Sequence, residues 1–163
     1  MKTMMNSSFK KWLILITGLF LLNMAPLLAQ SNSYNTDEST IVLDGYSPVS
    51  YIEYGKARIG NRAFKANYDG VTYFFVNSEE KKLFQSKPQK YIPQYGGWCA
   101  YAVSLGYKYR PNPDSFRVVD GKLYLFTINV EANFVNAWEK EGKEKHIARA
   151  DRNWKSMDKF QNR

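Results

Sequence analysis

Twice in this chain a run of strand-forming residues reaches Asp-Gly and turns back on itself. Residues 64–68 lead into Asp69-Gly70 and out through VTYFFV, and residues 116–119 lead into Asp120-Gly121 and out through residues 122–127. Asp-Gly accepts the positive φ of a type I′ turn, whose twist matches paired strands, and the flanking Val, Tyr, Phe and Thr favour extended backbone. An asparagine follows each hairpin, Asn77 and Asn129, and each is placed to cap a helix. Tyrosine lies three residues beyond each glycine (Tyr73, Tyr124) and phenylalanine five beyond (Phe75, Phe126). One duplicated unit and two separate uses of a common motif both fit these matches. The predicted class is α+β: a small antiparallel sheet built from the two Asp-Gly hairpins, with helices packed on one face.

The helices follow from caps and periodicity. Ser47 as cap, Pro48 at the first helical position and Gly55 as stop predict a helix over 48–54, burying Val49, Ile52 and one tyrosine. Asn77 with Glu80 three residues on is a variant capping box for a helix over 78–86, which buries Leu83 and Phe84 and ends before Pro88. Val130, Phe134, Ala137 and Trp138 share one face of a helix over 130–141. Gly142 stops it, and a last helix from 144 to about 154 buries Ile147, Ala150 and Trp154 ahead of a flexible tail, 156–163. Residues 41–43 read as a short edge strand, so the domain spans 41–155.

Between the two hairpin units lies YIPQYGGWCAYAVSLG, residues 91–106, with the only cysteine and the only adjacent glycine pair of the chain. Paired glycines admit positive φ and close backbone approach. With Tyr91, Tyr95, Trp98 and Tyr101 crowded around them, this stretch is either a tight core junction or the wall of a small-ligand pocket. In the second case Tyr95, Gly96, Gly97, Trp98 and Tyr101 are the candidate ligand contacts.

The N-terminus carries Lys2, Lys10 and Lys11 ahead of the apolar run WLILITGLFLLNM and Ala29. That pattern predicts a secretory signal over 1–29, since the run is short of the ~20 residues a spanning helix needs. Residues 30–40 are polar and aperiodic, a flexible leader. Loss of three lysines and no acids lowers the formal net charge from +8 to +5, ordinary for an exported protein. The expected location is the periplasm or the medium. A lone Cys99 forbids an internal disulfide where disulfides normally persist, so the fold stands on its core.

The order DGYSPVSYIEYGKA, then YDGVTYFFVNSEEKKLFQSKPQKYIPQYGGWCAYAVSLG, then DGKLYLF, then IARADRNW resembles the YHS-domain family, in its exported bacterial branch. The resemblance covers residues 42–154. It implies a small domain whose core, in other branches, holds metal, with copper the favoured ion, through cysteines on a hairpin and the next helix. This chain departs from that set: Ser50, Val76 and Glu80 stand where such cores carry cysteine. Soft ligands are lost, and valine cannot coordinate.

What remains for metal is Cys99, helped by a tyrosine, by Met157 or by His146, the only histidine. Such a set predicts at most one Cu(I) and no closed zinc site. Cys99 is otherwise a packed hydrophobe or a reactive thiol. His146 lies in KEGKEKHIARAD, a charged stretch that predicts a solvated side chain. No phosphate loop, carboxylate pair or zinc-finger spacing occurs, and export argues against nucleic acid despite the many tyrosines. Two functions follow. The first is an exported, non-enzymatic binding module taking a small ligand or copper near Cys99, with no stable membrane anchor. The second is a thiol-dependent or redox enzyme using Cys99.

Overall fold

The two Asp-Gly hairpins form as the sequence predicts. The structure, a computed structural model, describes residues 33–36, 40–128 and 133–160; residues 1–29, expected to be a secretory signal, lie outside them, as do Asn129 and Val130. Strand β1 (Asn61–Tyr68) pairs antiparallel with β2 (Val71–Phe75), and β3 (Asn112–Val119) with β4 (Lys122–Phe126). The fold is α+β, with the hairpins as two separate two-stranded ladders. Asp69 and Asp120 take φ of 51° and 50°, as the turn requires.

Both first strands begin earlier than their apolar runs, because each carries the same bulge. Pairing jumps from Asn61↔Phe75 to Lys65↔Phe74 in one hairpin and from Asn112↔Phe126 to Phe116↔Leu125 in the other. Inside each bulge the asparagine side chain accepts the amide two residues on, Ala63 and Asp114, at 2.9 Å. An Asx turn of this kind competes with the ladder and re-aims the strand.

The likeness extends upstream. Residues 43–45 take φ of 59°, 50° and 83°, and residues 95–97 take 55°, 59° and 83°. Each left-handed turn leads through two residues, Tyr46-Ser47 or Trp98-Cys99, into a short helix, α1 (Pro48–Tyr54) or α4 (Ala100–Ser104). Each helix is followed within two residues by a glycine at positive φ, Gly55 or Gly106. The repeat is therefore one of architecture, from the turn through to the asparagine cap after the hairpin.

Helices α2 (Ser78–Ser86) and α3 (Pro88–Tyr91) follow the first hairpin, and α5 (Phe134–Lys140) and α6 (Lys143–Phe160) follow the second. Strand β4 separates two apolar cores. Leu123 and Leu125 join Val49, Tyr51, Tyr73, Phe75 and Phe84, while Tyr124 and Phe126 join Cys99, Val103, Val135, Trp138 and Ala150. Alternate residues of a strand point to opposite faces, so one strand serves both.

Several boundaries move. Ile41 and Val42 make only isolated bridges, to Thr72 and Thr36, before the turn Leu43–Gly45. The helix expected from Val130 starts at Phe134, because Asn133 Oδ1 takes the Val135 and Asn136 amides. Helix α6 runs past Trp154 to Phe160. In α2 the cap is Asn77, accepting the Glu80 amide at 2.9 Å, but the Glu80 side chain turns inward instead of back to the cap. Glu80 and Phe84, one turn apart, take the buried face, and Leu83 is left exposed.

Candidate functional site

The glycine pair is covered by the chain itself. A Cβ at Gly96 would fall on the Ser33 carbonyl, and the Asn35 amide donates to Gly96 O at 2.8 Å. Asn35 Nδ2 reaches Gly97 O at 3.5 Å, and Tyr34 OH donates to Asp69 Oδ2 at 2.8 Å. Part of the segment read as a leader is thus a strap, residues 33–36, with Asn35 buried. Its seat combines backbone with the polar Tyr34 and Asn35 side chains, which is why apolar periodicity does not reveal it.

The candidate contacts around the pair are divided among different roles. Tyr95 is buried between Tyr124 and Trp154 and donates its hydroxyl to Asp151 at 2.9 Å. Burial, then that carboxylate, pushes its phenol well above the ordinary range. Trp98 is half-buried beneath Lys108, whose ammonium also lies over Trp154 at 5.2 Å. Tyr101 stacks on Phe134 and donates to Glu141 Oε1 at 3.1 Å.

Cys99 is fully buried. Its amide donates to Tyr109 O at 3.0 Å, its carbonyl accepts from Val103 at 2.9 Å, and its sulfur accepts the Thr127 amide at 3.3 Å. Among the described residues no three His, Cys, Asp or Glu side chains gather to hold a metal ion. Met157 packs against the same core as Cys99, but a fully buried thiol that already accepts an amide is a poor fit for copper.

His146 corrects the sequence reading: it is fully buried, not solvated. Nδ1 is 2.8 Å from Ser104 Oγ, its ring lies 5.0 Å from that of Tyr101, and Nε2 is 3.3 Å from Glu141 Oε2, off the line of a hydrogen bond. Serine, histidine and acid stand here in the order of a hydrolase triad. Yet Ser104 is fully buried and its hydroxyl donates to Tyr101 O at 2.7 Å, so no substrate carbonyl can reach it. The network pins α4 to α6. Asn153 adds to the pin, donating to Val103 O and Ser104 O at 2.9 and 3.0 Å. The IARADRNW motif is therefore packing hardware: Ala150 fills the core, Asp151 holds Tyr95, Asn153 caps α4 and Trp154 covers Tyr95.

Ser50, Val76 and Glu80, distant in sequence, meet at one buried point. Glu80 Oε1 accepts Ser50 Oγ at 2.9 Å, and Oε2 accepts Ser47 Oγ at 2.5 Å and the Val76 amide at 3.2 Å. Arg58 approaches Oε1 at 3.5 Å. The carboxylate is saturated by donors, as a buried charge must be. A shallow cleft of about 250 Å³, lined by Ala66, Asn67, Tyr68, Phe84, Gln85 and Pro88, holds no charged or nucleophilic group.

The exposed surface is less even. Tyr54, Ile59, Leu105, Tyr107 and Tyr109, all large and solvent-facing, lie at the end of α1 and in the loops that follow α1 and α4. Residues 54–62 and 105–110 carry Lys56, Arg58, Arg62, Lys108 and Arg110 and no acid. The turn Leu43–Gly45 stitches the loops together. Asp44 pairs with Arg110 at 3.0 Å, Gly45 O accepts the Gly60 amide at 2.8 Å, and a Cβ at Gly45 would touch Ile59. Thr127 Oγ1 donates to Arg110 O at 2.8 Å and brings the exposed Ile128 alongside.

Compared with protein-family models, with curated proteins and with solved structures, the chain matches none.

Proposed function

We propose that the chain is an exported, non-enzymatic binding module, kin to the exported YHS-domain proteins, that recognises its ligand on the loop face of residues 54–62 and 105–110. One observation carries this reading: Cys99, His146 and Glu80, the groups best suited to chemistry, are fully buried and engaged by intramolecular partners. Most of the exposed large aromatic and aliphatic side chains sit instead on residues 54–62 and 105–110. Support for export is the Lys-rich start and short apolar run; support for the kinship is the meeting of Ser50, Val76 and Glu80. The thiol-enzyme alternative loses ground because a sealed sulfur accepting an amide offers no nucleophile.

Amide hydrogen exchange on the full chain, alone and with an envelope extract of its own host, tests the reading. Added protection over 54–62 and 105–110 is expected. Protection confined to the Cys99–α4 junction would return recognition to the thiol.

A further inference from the structure

The loops hold more than exposed rings. Residues 30–163 carry a net charge of +5, and the five cations of the two loops equal all of it; elsewhere acids and bases balance. Arg58 and Arg110 are paired with Glu80 and Asp44, while Lys56 and Arg62 have no ion pair among the described residues. A second copy of this chain would bring like charge to the same face, so self-association is the wrong occupant. The complement must be anionic.

Ile59 is 61% exposed, Tyr107 65% and Tyr109 57%, and Leu105 and Ile128 are exposed as well. A soluble acidic polymer could stack on the tyrosines and pair with the cations, but it has no use for aliphatic side chains. A lipid surface uses all three kinds. Tyrosine favours the headgroup level, aliphatic tips enter the acyl boundary, and Lys or Arg is drawn to anionic headgroups. We propose that this face docks reversibly on a phospholipid surface bearing anionic headgroups. The proposal rests on the loop-face reading above and names its partner.

The probes are vesicles of phosphatidylcholine, vesicles of phosphatidylcholine mixed with phosphatidylglycerol, and heparin as a soluble polyanion, each with the mature chain. The parent should sediment with the mixed vesicles, not with phosphatidylcholine alone, and should be released by salt. Lys56→Glu with Arg62→Glu should weaken vesicle binding by at least about tenfold. Ile59→Ser with Tyr107→Ser and Tyr109→Ser should do likewise while heparin binding persists. Thermal unfolding must show both variants folded.

No vesicle binding by the parent overturns the lipid proposal. If heparin still binds, and the charge-reversed variant loses it, the loop-face reading survives that failure. Vesicle binding equal in parent and both folded variants overturns both.

Discussion

Ser47 and Cys99 hold the same station in the two halves of the fold. Each follows a turn of three left-handed residues and precedes the first residue of a short helix. Each also answers the amide just past the second hairpin strand. In the first half the Val76 amide and Ser47 Oγ share Glu80 Oε2; in the second the Thr127 amide goes straight to Cys99 Sγ. The thiol is thus an acceptor that closes a junction, where the other half uses a carboxylate.

Cys99→Ala should then leave the part-buried Thr127 amide without its acceptor, at a cost of about 1 kcal/mol or more. Cys99→Ser keeps an acceptor and should cost less. Urea unfolding of both variants measures the order; equal stability of Cys99→Ala and the parent would remove sulfur from the junction.

Glu80→Ala strands the Ser47 and Ser50 hydroxyls and the Val76 amide, and should destabilise by about 3 kcal/mol. Adding Ser47→Ala and Ser50→Ala to that variant should recover part of the loss, because fewer donors are left orphaned. Additive losses in a denaturant series would speak against a shared network.

The sequence made the hairpins, the Ser47 and Asn77 caps and the α+β class legible, because those depend on local turn chemistry and strand propensity. It could not show that Glu80 leaves its capping box, since the hydroxyls that draw it in lie some thirty residues upstream. His146 was hidden in the same way: its neighbours in sequence are charged, and its burial comes against Ser104 and Tyr101, some forty residues upstream. The cap at Asn133, which takes the Val135 and Asn136 amides, is not singled out by the apolar period, and Asn129 lies outside the described residues.

Gly96→Ala should be more damaging than Gly97→Ala, by about 1–3 kcal/mol, although both take positive φ. At Gly97 a Cβ makes only side-chain contacts, Pro93 at 3.4 Å and Asn35 and Leu43 at 3.9 Å, whereas at Gly96 it collides with the strap backbone. Deleting residues 31–36 should bring the two costs together. Thermal melts of the four variants check this, and a difference that survives the deletion would show that the strap is not the cause.

Alkaline pH should unfold the chain through its buried phenols. Burial, reinforced by nearby Asp69, Asp114 or Asp151, raises Tyr34, Tyr51, Tyr73 and Tyr95 above the ordinary 10.0. Above that value the unfolded chain loses these protons and the folded chain keeps them, so stability is full below about pH 10 and falls as pH rises further. Tyrosinate absorbance should appear in two stages, exposed rings first and buried rings with unfolding. A single early rise with the fold intact would contradict the burial.

The most direct measurement is the labelling rate of Cys99 by a small thiol reagent, in native buffer and in denaturant. A closed centre predicts native labelling no faster than global unfolding allows, unchanged by Cu(I), with full labelling once unfolded. Rapid native labelling that Cu(I) suppresses would mean an open, metal-binding thiol, and would move the functional site from the loop face back to Cys99.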